Sequence, residues 1–361
     1  MPQNECRSQC LDPRDQSPAD FLFRAGRLSL SSGNARRWLA AVIGKGEHSL
    51  SECGRRGILP RHLIEAVCDL PRLRLEKHLV SKISNFQKLV FRTADNLIVE
   101  SVVIPLHRSG AFSICLSSQI GCVMRCSFCS TGRMRSRRDL ATWEMIDQYI
   151  QARAIVRRGG GRVTGAVFMG MGEPFLNYGR VMAAAELLSY PMEGAISAKA
   201  VTVSTIGLVP EIEKFTSEKR KFRLSISLGA PSDEKRKILM PAAARTPIAA
   251  IMAAARRHAQ SRHTRVMLSY VCISGVNVSE EDARALGELI GDTPVRLDLI
   301  DVDDPSGRHV PPGIAERNRF RDALRRYVGQ PVVRRFSGGS DIRAACGALG
   351  SDDVSNDRIN E

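Results

Sequence analysis

Residues 111–129 read AFSICLSSQIGCVMRCSFC, and the fold follows from this stretch. Phe112–Leu116 is a short apolar run with strand character, closed by the polar Ser117-Ser118-Gln119. Cys122-x3-Cys126-x2-Cys129 comes directly after it. Three cysteines so close in one loop argue for a metal centre over buried, unreactive thiols. A [4Fe–4S] cluster held by four protein thiolates is coordinatively full, whereas three thiolates leave one iron open to a ligand. Zinc is the rival, but no fourth Cys or His lies at zinc-site spacing to close a tetrahedron. The cluster loop on Cys122, Cys126 and Cys129 therefore sits at the end of a strand.

Working outward, the chain alternates short apolar runs with helical stretches. The strands expected are Phe112–Leu116, Gly165–Met169, Ala200–Ser204, Arg223–Leu228, Arg265–Val271 and Val295–Ile300. Helices are expected at Thr142–Arg158, Tyr178–Leu188, Pro247–Ala259 and Ser279–Ile290, with a last helix at Ile314–Tyr327 and a strand at Val332–Phe336. Six strand–helix repeats predict an α/β fold, a parallel sheet curled into a partial (βα)6 TIM-like barrel. Its active site belongs at the C-terminal strand ends. Upstream, Lys88–Arg92 and Leu97–Ile104 read as two strands around an Asp95-Asn96 turn, and Leu22 to Leu79 reads as helical. The expected organisation is a disordered N-terminus (1–20), a helical accessory domain of RNA-binding type (21–84), a β-hairpin connector (85–110), the barrel with a C-terminal cysteine segment (111–349) and a disordered tail (350–361).

The 361 residues carry a formal net charge of +15 and a pI near 9.7. Such a balance points to a polyanionic partner, nucleic acid first, because Lys and Arg gain by displacing counterions from phosphates. Basic runs stand at Arg133, Arg135, Arg137 and Arg138, at Lys214, Lys219, Arg220 and Lys221, and at Arg317, Arg319, Arg321, Arg325 and Arg326. No eighteen-residue apolar run exists, so no membrane span is expected, and the polar N-terminus lacks a secretory signal. A cytoplasmic location follows, in which cysteines at short spacing read as ligands or catalytic groups. Cys6, Cys10, Cys53, Cys68 and Cys272 receive no role.

Gly170-Met171-Gly172-Glu173-Pro174 ends the second strand, and Val203-Ser204-Thr205 and Ser227-Leu228-Gly229 end the third and fourth. Paired glycines allow close backbone approach to a ligand, and a carboxylate there can accept from an ammonium group. One β–α unit after C-x3-C-x2-C, this pattern resembles the radical S-adenosylmethionine (SAM) superfamily. The resemblance implies SAM chelating the open iron through its amino and carboxylate groups. It makes Gly172, Glu173, Ser204, Ser227, Leu228, Gly229 and Asp303 the candidates for binding SAM.

The match narrows with Ile114-Cys115-Leu116-Ser117-Ser118-Gln119 before Gly121-Cys122, with Met240-Pro241, and with Asp341-Ile342-x-Ala344-Ala345-Cys346-Gly347-x-Leu349. In this order and spacing they resemble the RlmN family, whose members methylate adenine C2 in ribosomal and transfer RNA. The family implies two SAM per turnover. One methylates Cys346; the other provides a radical that takes hydrogen from that S-methyl group. It further implies Glu100 as proton acceptor and Cys115 as the resolving thiol, with a transient Cys115–Cys346 disulfide. An RNA partner, a flavodoxin or ferredoxin electron donor and a monomeric state complete the expectation. Related enzymes acting at adenine C8 share the cysteines, so C2 and C8 both stay open. So does a radical SAM enzyme acting on a small molecule or peptide. A non-catalytic iron–sulfur or zinc RNA-binding protein has no need of GMGEP.

The chain departs from the family pattern at Gly229, where a histidine is usual, at Asp303, where an asparagine is usual, and at Ala242-Ala243 in place of Ile-Asn. Gly132-Arg133-Met134-Arg135 also lacks a second glycine. These departures touch the SAM pocket and substrate, not the residues proposed for chemistry.

Overall fold

The computed structural model describes residues 11–47, 49–66 and 70–350. Cys6, Cys10, Cys68 and the tail from 351 lie outside the described residues. The chain opens with α1 (Pro18–Arg27), α2 (Ser32–Leu39), α3 (Leu50–Arg55) and α4 (Arg61–Ala66), with Ala40–Lys45 extending α2 as a π-helical turn. Ser17, Ser31 and Ser49 cap the first three by accepting backbone N–H groups that a helix start leaves unpaired. Phe21 meets Trp38 edge to face at 5.5 Å, and both belong to the same apolar core as the barrel.

Residues 11–14 differ from the expected loose N-terminus. Arg14 is fully buried, bonded to Asp12 at 2.7 Å and to Asp147 at 3.4 Å. The polar composition suggested solvent, but these charges satisfy one another inside the fold. The helical reading of Leu22–Leu79 also ends early, because β1 (Arg74–Val80) is an edge strand with both faces exposed. An edge strand wet on both sides carries no alternating apolar signature to read.

β1 pairs antiparallel with β2 (Gln87–Arg92), β2 with β3 (Ile98–Pro105), and β3 with β4 (Ala111–Leu116). A two-residue ribbon, β5 (Gln119–Ile120) with β6 (Arg138–Asp139), brackets the cysteine loop. Then come α5 (Thr142–Arg158), β7 (Arg162–Phe168), α6 (Tyr178–Ser189), β8 (Val201–Thr205), α7 (Val209–Ser217) and β9 (Arg223–Ser227). They are followed by α8 (Asp233–Leu239), α9 (Ile248–Arg262), β10 (Val266–Cys272), α10 (Glu280–Ile290), β11 (Val295–Asp301), α11 (Ile314–Tyr327) and β12 (Val332–Arg334). The order β1-β2-β3-β4-β7-β8-β9-β10-β11-β12 makes one open sheet, parallel from β4 onward. The expected six β–α repeats are all present. α7 and α8 were missed because α8 (DEKRKIL) is mostly charged and α7 is short. None of the helices is long and apolar enough to cross a membrane.

Candidate active site

The parallel strands aim their C-terminal ends at one cavity. Cys122, Cys126 and Cys129 line it, and so do Gly172, Glu173, Cys115 and Cys346. Ser204 and Ser227 line it too, their hydroxyl oxygens 3.4 Å apart on neighbouring strand ends.

The cysteine loop is held by backbone contacts. Ser127 N–H donates to Leu239 O at 2.8 Å, and Cys129 N–H to Cys126 O at 3.0 Å. Gly121 turns the chain at φ +66°, where a side chain would strike the carbonyl of Ser136. Met124, Ile206, Met240 and Val302 form an apolar shell beside Cys122 and Cys126. Burial pushes the Cys122 thiol up to about 12 and Cys126 well above the usual thiol range, each raised further by its cysteine neighbours. Thiols held up in this way become thiolates only around a cationic group, which fits an iron cluster. Among the described residues no three His, Cys, Asp or Glu side chains are gathered around a single ion. Sulfurs on one tetrahedral zinc lie about 4 Å apart, and a four-iron cube holds its thiolates farther apart.

Glu173 is the second element. It is 2% exposed, and its carboxylate accepts from Phe175 N–H and Ile206 N–H, each at 3.0 Å. Burial nevertheless raises it to about 7. A buried carboxylate that faces a cavity with only neutral donors suits a cationic ligand group such as the SAM ammonium. The close approach of Gly170 and Gly172 is to the chain itself: a side chain on Gly172 would strike Gln119, and one on Gly170 would strike Leu116 and Ser117.

The cysteine segment near the C-terminus folds onto the cluster loop. Ser130 N–H donates to Gly347 O at 2.7 Å, and the Thr131 hydroxyl to Leu349 O at 2.9 Å. Cys346 N–H donates to the Ser337 hydroxyl at 3.1 Å. Asp341 fixes the approach of this segment by accepting from the Ser81 hydroxyl and Lys82 N–H. Cys115 and Cys346 are both free thiols. Burial pushes Cys115 up to about 12; Cys346 beside it adds to the rise and the Arg335 guanidinium opposes it.

The Radical SAM superfamily pattern matches residues 116–286. A probable RNA methyltransferase of Anaeromyxobacter sp. (strain Fw109-5) is 45% identical over 91% of this chain and 96% of its own length. A probable dual-specificity RNA methyltransferase RlmN of Moorella thermoacetica is 36% identical over 92% of this chain and 94% of its own. A solved radical SAM methyltransferase from Sphaerobacter thermophilus superposes with TM-score 0.85 at 32% identity, covering 94% of this chain and 98% of that one. The chain belongs to the RlmN family of radical SAM RNA methyltransferases.

Membership implies a [4Fe–4S] cluster and SAM, and the residues around the cavity fit both. Not every residue that family reasoning selects faces it. The Leu228 side chain is fully buried in the core; its carbonyl instead accepts from Arg236. Asp303 lies off the cavity, half-buried, with burial and Asp304 holding its carboxyl above the ordinary range. Gly229 does line it at φ +74°, and Met240 fills the space where a histidine side chain would begin. Glu100 is fully buried beside the cavity: Lys88 Nζ lies 3.0 Å from its Oε1, and Gly350 N–H donates to its Oε2 at 2.9 Å.

Sequence reasoning missed Arg335, Ser337 and Arg236. Arg236 is fully buried and donates to the carbonyls of Leu228 and Ile206, tying β8 to β9. No spacing marks it; it is one cation in the charged run of α8. Several basic residues singled out earlier are already paired: Arg133 with Asp304, Arg138 with Asp95 and Glu144, Arg220 with Glu186 and Glu218, and Arg317 with Asp301. Their charge is spent largely on the fold.

Proposed function

We propose that this chain methylates a ring carbon of adenine in RNA, with Cys346 as methyl carrier, Cys115 as resolving thiol and Glu100 as proton acceptor. The observation that carries the reading is the meeting of Cys115 and Cys346 in one cavity with the three cysteines of the cluster loop. Cys122, Cys126 and Cys129 would hold the cluster. Glu173 would take the SAM ammonium, and Ser204 and Ser227 its hydroxyls or carboxylate, with Gly172 and Gly229 as backbone walls. When bound, the cluster and two SAM per turnover supply one methyl group and one 5′-deoxyadenosyl radical, the electron coming from a flavodoxin or ferredoxin.

An adenine ring carbon is electron-poor and does not attack a sulfonium methyl, so the protein must deliver the carbon. Cys346 takes the methyl on sulfur, loses one hydrogen atom from it to the radical, and bonds to the base through that carbon. Glu100 accepts the ring proton while the adduct radical passes its unpaired electron to a one-electron acceptor of the iron–sulfur or flavin class. The carboxylate reaches a bound base only once Gly350 gives up its hydrogen bond. Cys115 then attacks the Cys346 sulfur as thiolate; the released carbon takes up a proton to become the methyl group, and a disulfide is left for an external reductant to reopen. Arg335 helps here by opposing the rise of the Cys115 thiol.

The test has two parts. Replacing Cys122, Cys126 and Cys129 with Ala abolishes iron binding and SAM cleavage together; unchanged iron content ends the cluster assignment. In the intact chain the peptide holding Cys346 gains one methyl mass, and Cys115→Ala leaves RNA covalently attached through Cys346. A Cys115→Ala protein that turns over freely sinks the two-cysteine mechanism. Mass spectrometry of the released nucleosides reads the C2 or C8 isomer.

A further inference from the structure

A second recess shares no lining residue with the cavity and is lined by Lys45, Arg72, Arg153, Arg157 and Arg158 and by no carboxylate. Three parts of the chain build it: the π-helical turn after α2, the chain entering β1, and the last turns of α5. Arg153 is structural, buried and donating to the carbonyls of Gly44 and Gly194. Lys45, Arg72, Arg157 and Arg158 are exposed, and none makes a salt bridge among the described residues. The carboxylates that act on the recess are Asp147, already bound by Arg14, Leu73 N–H and Gln151, and the exposed Glu193.

Four cations held together without counter-charge repel one another, and a polyanion relieves this by releasing condensed counterions of its own. α5 runs from the cluster loop to the far end of the barrel. Its second half, from Ile150 to Arg158, lines the recess, and none of its residues lines the cavity. A structured RNA whose target base sits in the cavity is long enough to cover both.

We infer that this recess anchors the phosphodiester backbone of the RNA substrate, at a point remote from the modified base. The inference rests on the RNA-methylating reading above. Lys45 and Arg72 grip from the N-terminal side, Arg157 and Arg158 from the barrel side, so the RNA bridges the two parts of the chain. Contacts of this kind position the substrate and read no bases.

The test uses the full-length holoenzyme with two probes, an unmodified transfer RNA made in vitro and a short hairpin too small to reach from the cavity to the recess. Arg157→Gln with Arg158→Gln lowers the slope of log affinity against log salt for the transfer RNA by about 2. Hairpin binding and the methyl mass on Cys346 stay as in the unaltered protein. Arg157→Lys with Arg158→Lys restores the slope, which separates charge from the packing of the α5 end. If the unaltered protein binds transfer RNA and the Gln pair binds it with the same affinity and slope, the recess is a solvated surface and the inference is wrong. If the unaltered protein binds neither probe, the RNA reading itself falls, and the recess with it.

Discussion

Glu173, which lines the cavity, and Glu100, which does not, are both buried carboxylates, and they are held in opposite ways. Glu173 has only neutral partners, two backbone N–H groups, and burial raises it to about 7. Glu100 has an ammonium 3.0 Å away and is covered by the backbone of Gly350. The first carboxylate lacks a cation and faces space for one; the second has its cation built in and lies outside the cavity. The difference separates a binding group from a group kept in reserve. Glu173 is ready for a ligand as the chain stands, whereas Glu100 becomes available only when the C-terminal segment moves.

The largest effect expected comes from removing the built-in cation. Lys88 and Glu100 are 0% and 1% exposed, so Lys88→Met leaves a charge buried without its ammonium. Breaking a buried pair from one side costs about 3–5 kcal/mol, read as a loss in anaerobic denaturant unfolding. Lys88→Met together with Glu100→Met removes both charges and returns most of that stability. A single substitution that costs under about 1 kcal/mol would mean the pair is hydrated like a surface bridge, and the contrast with Glu173 would collapse.

How much of this was legible in sequence follows from range. The cluster loop, GMGEP and the six β–α repeats are local patterns that spacing along the chain decides, and the repeats stand in the fold where that spacing puts them. The cover on Glu100 joins residues 250 positions apart, and no local pattern carries it. Arg236 is invisible for the same reason: its acceptors are carbonyls on two other strands' ends, and carbonyls leave no trace in a sequence. β1 was missed because an exposed edge strand buries no alternating face. The basic runs were visible as charge, but which arginines were already paired depended on carboxylates elsewhere in the chain. Lys45, Arg72, Arg157 and Arg158 belong to three separate segments, so no run announced the recess.

Glu173 yields the second prediction, a dependence on pH. Its folded value is raised from 4.5 to about 7, so the ligand-free protein binds this proton more tightly folded than unfolded. Its contribution to stability is therefore complete below about 4.5 and is lost as pH rises through about 7, on the order of 3 kcal/mol. A cationic ligand reverses the preference because it wants the carboxylate. SAM affinity should rise between pH 6 and pH 8, measured by equilibrium dialysis. In Glu173→Gln it should be weak and carry much less of this pH dependence. Equal, pH-independent affinity in both proteins would show that Glu173 faces no cation.

The smallest effect concerns Gly229, at the end of β9 on the Glu173 side of the cavity. Its φ of +74° is left-handed, and an added Cβ would strike Met240 Sδ. Two costs are mixed there. The left-handed backbone costs a non-glycine residue about 1–2 kcal/mol wherever it occurs. The clash is with the sulfur of a flexible side chain, which can rotate away, although Met240 is 1% exposed and has little room. Gly229→Ala should therefore lower stability by about 1–2 kcal/mol through the backbone, with the clash adding less. A double-mutant cycle with Met240→Ala separates the two. If the backbone dominates, the Gly229→Ala cost is the same whether or not Met240 is trimmed. If the clash dominates, trimming Met240 removes most of it, and the departure from histidine is a matter of what Met240 occupies. Either way Lys88 and Glu100 belong to the β2–β3 pair and not to the lining of the cavity, so the loss on Lys88→Met should be unchanged in the Gly229→Ala background. Non-additivity between those two substitutions would mean that the two carboxylate regions are one mechanical unit, which the comparison between them denies.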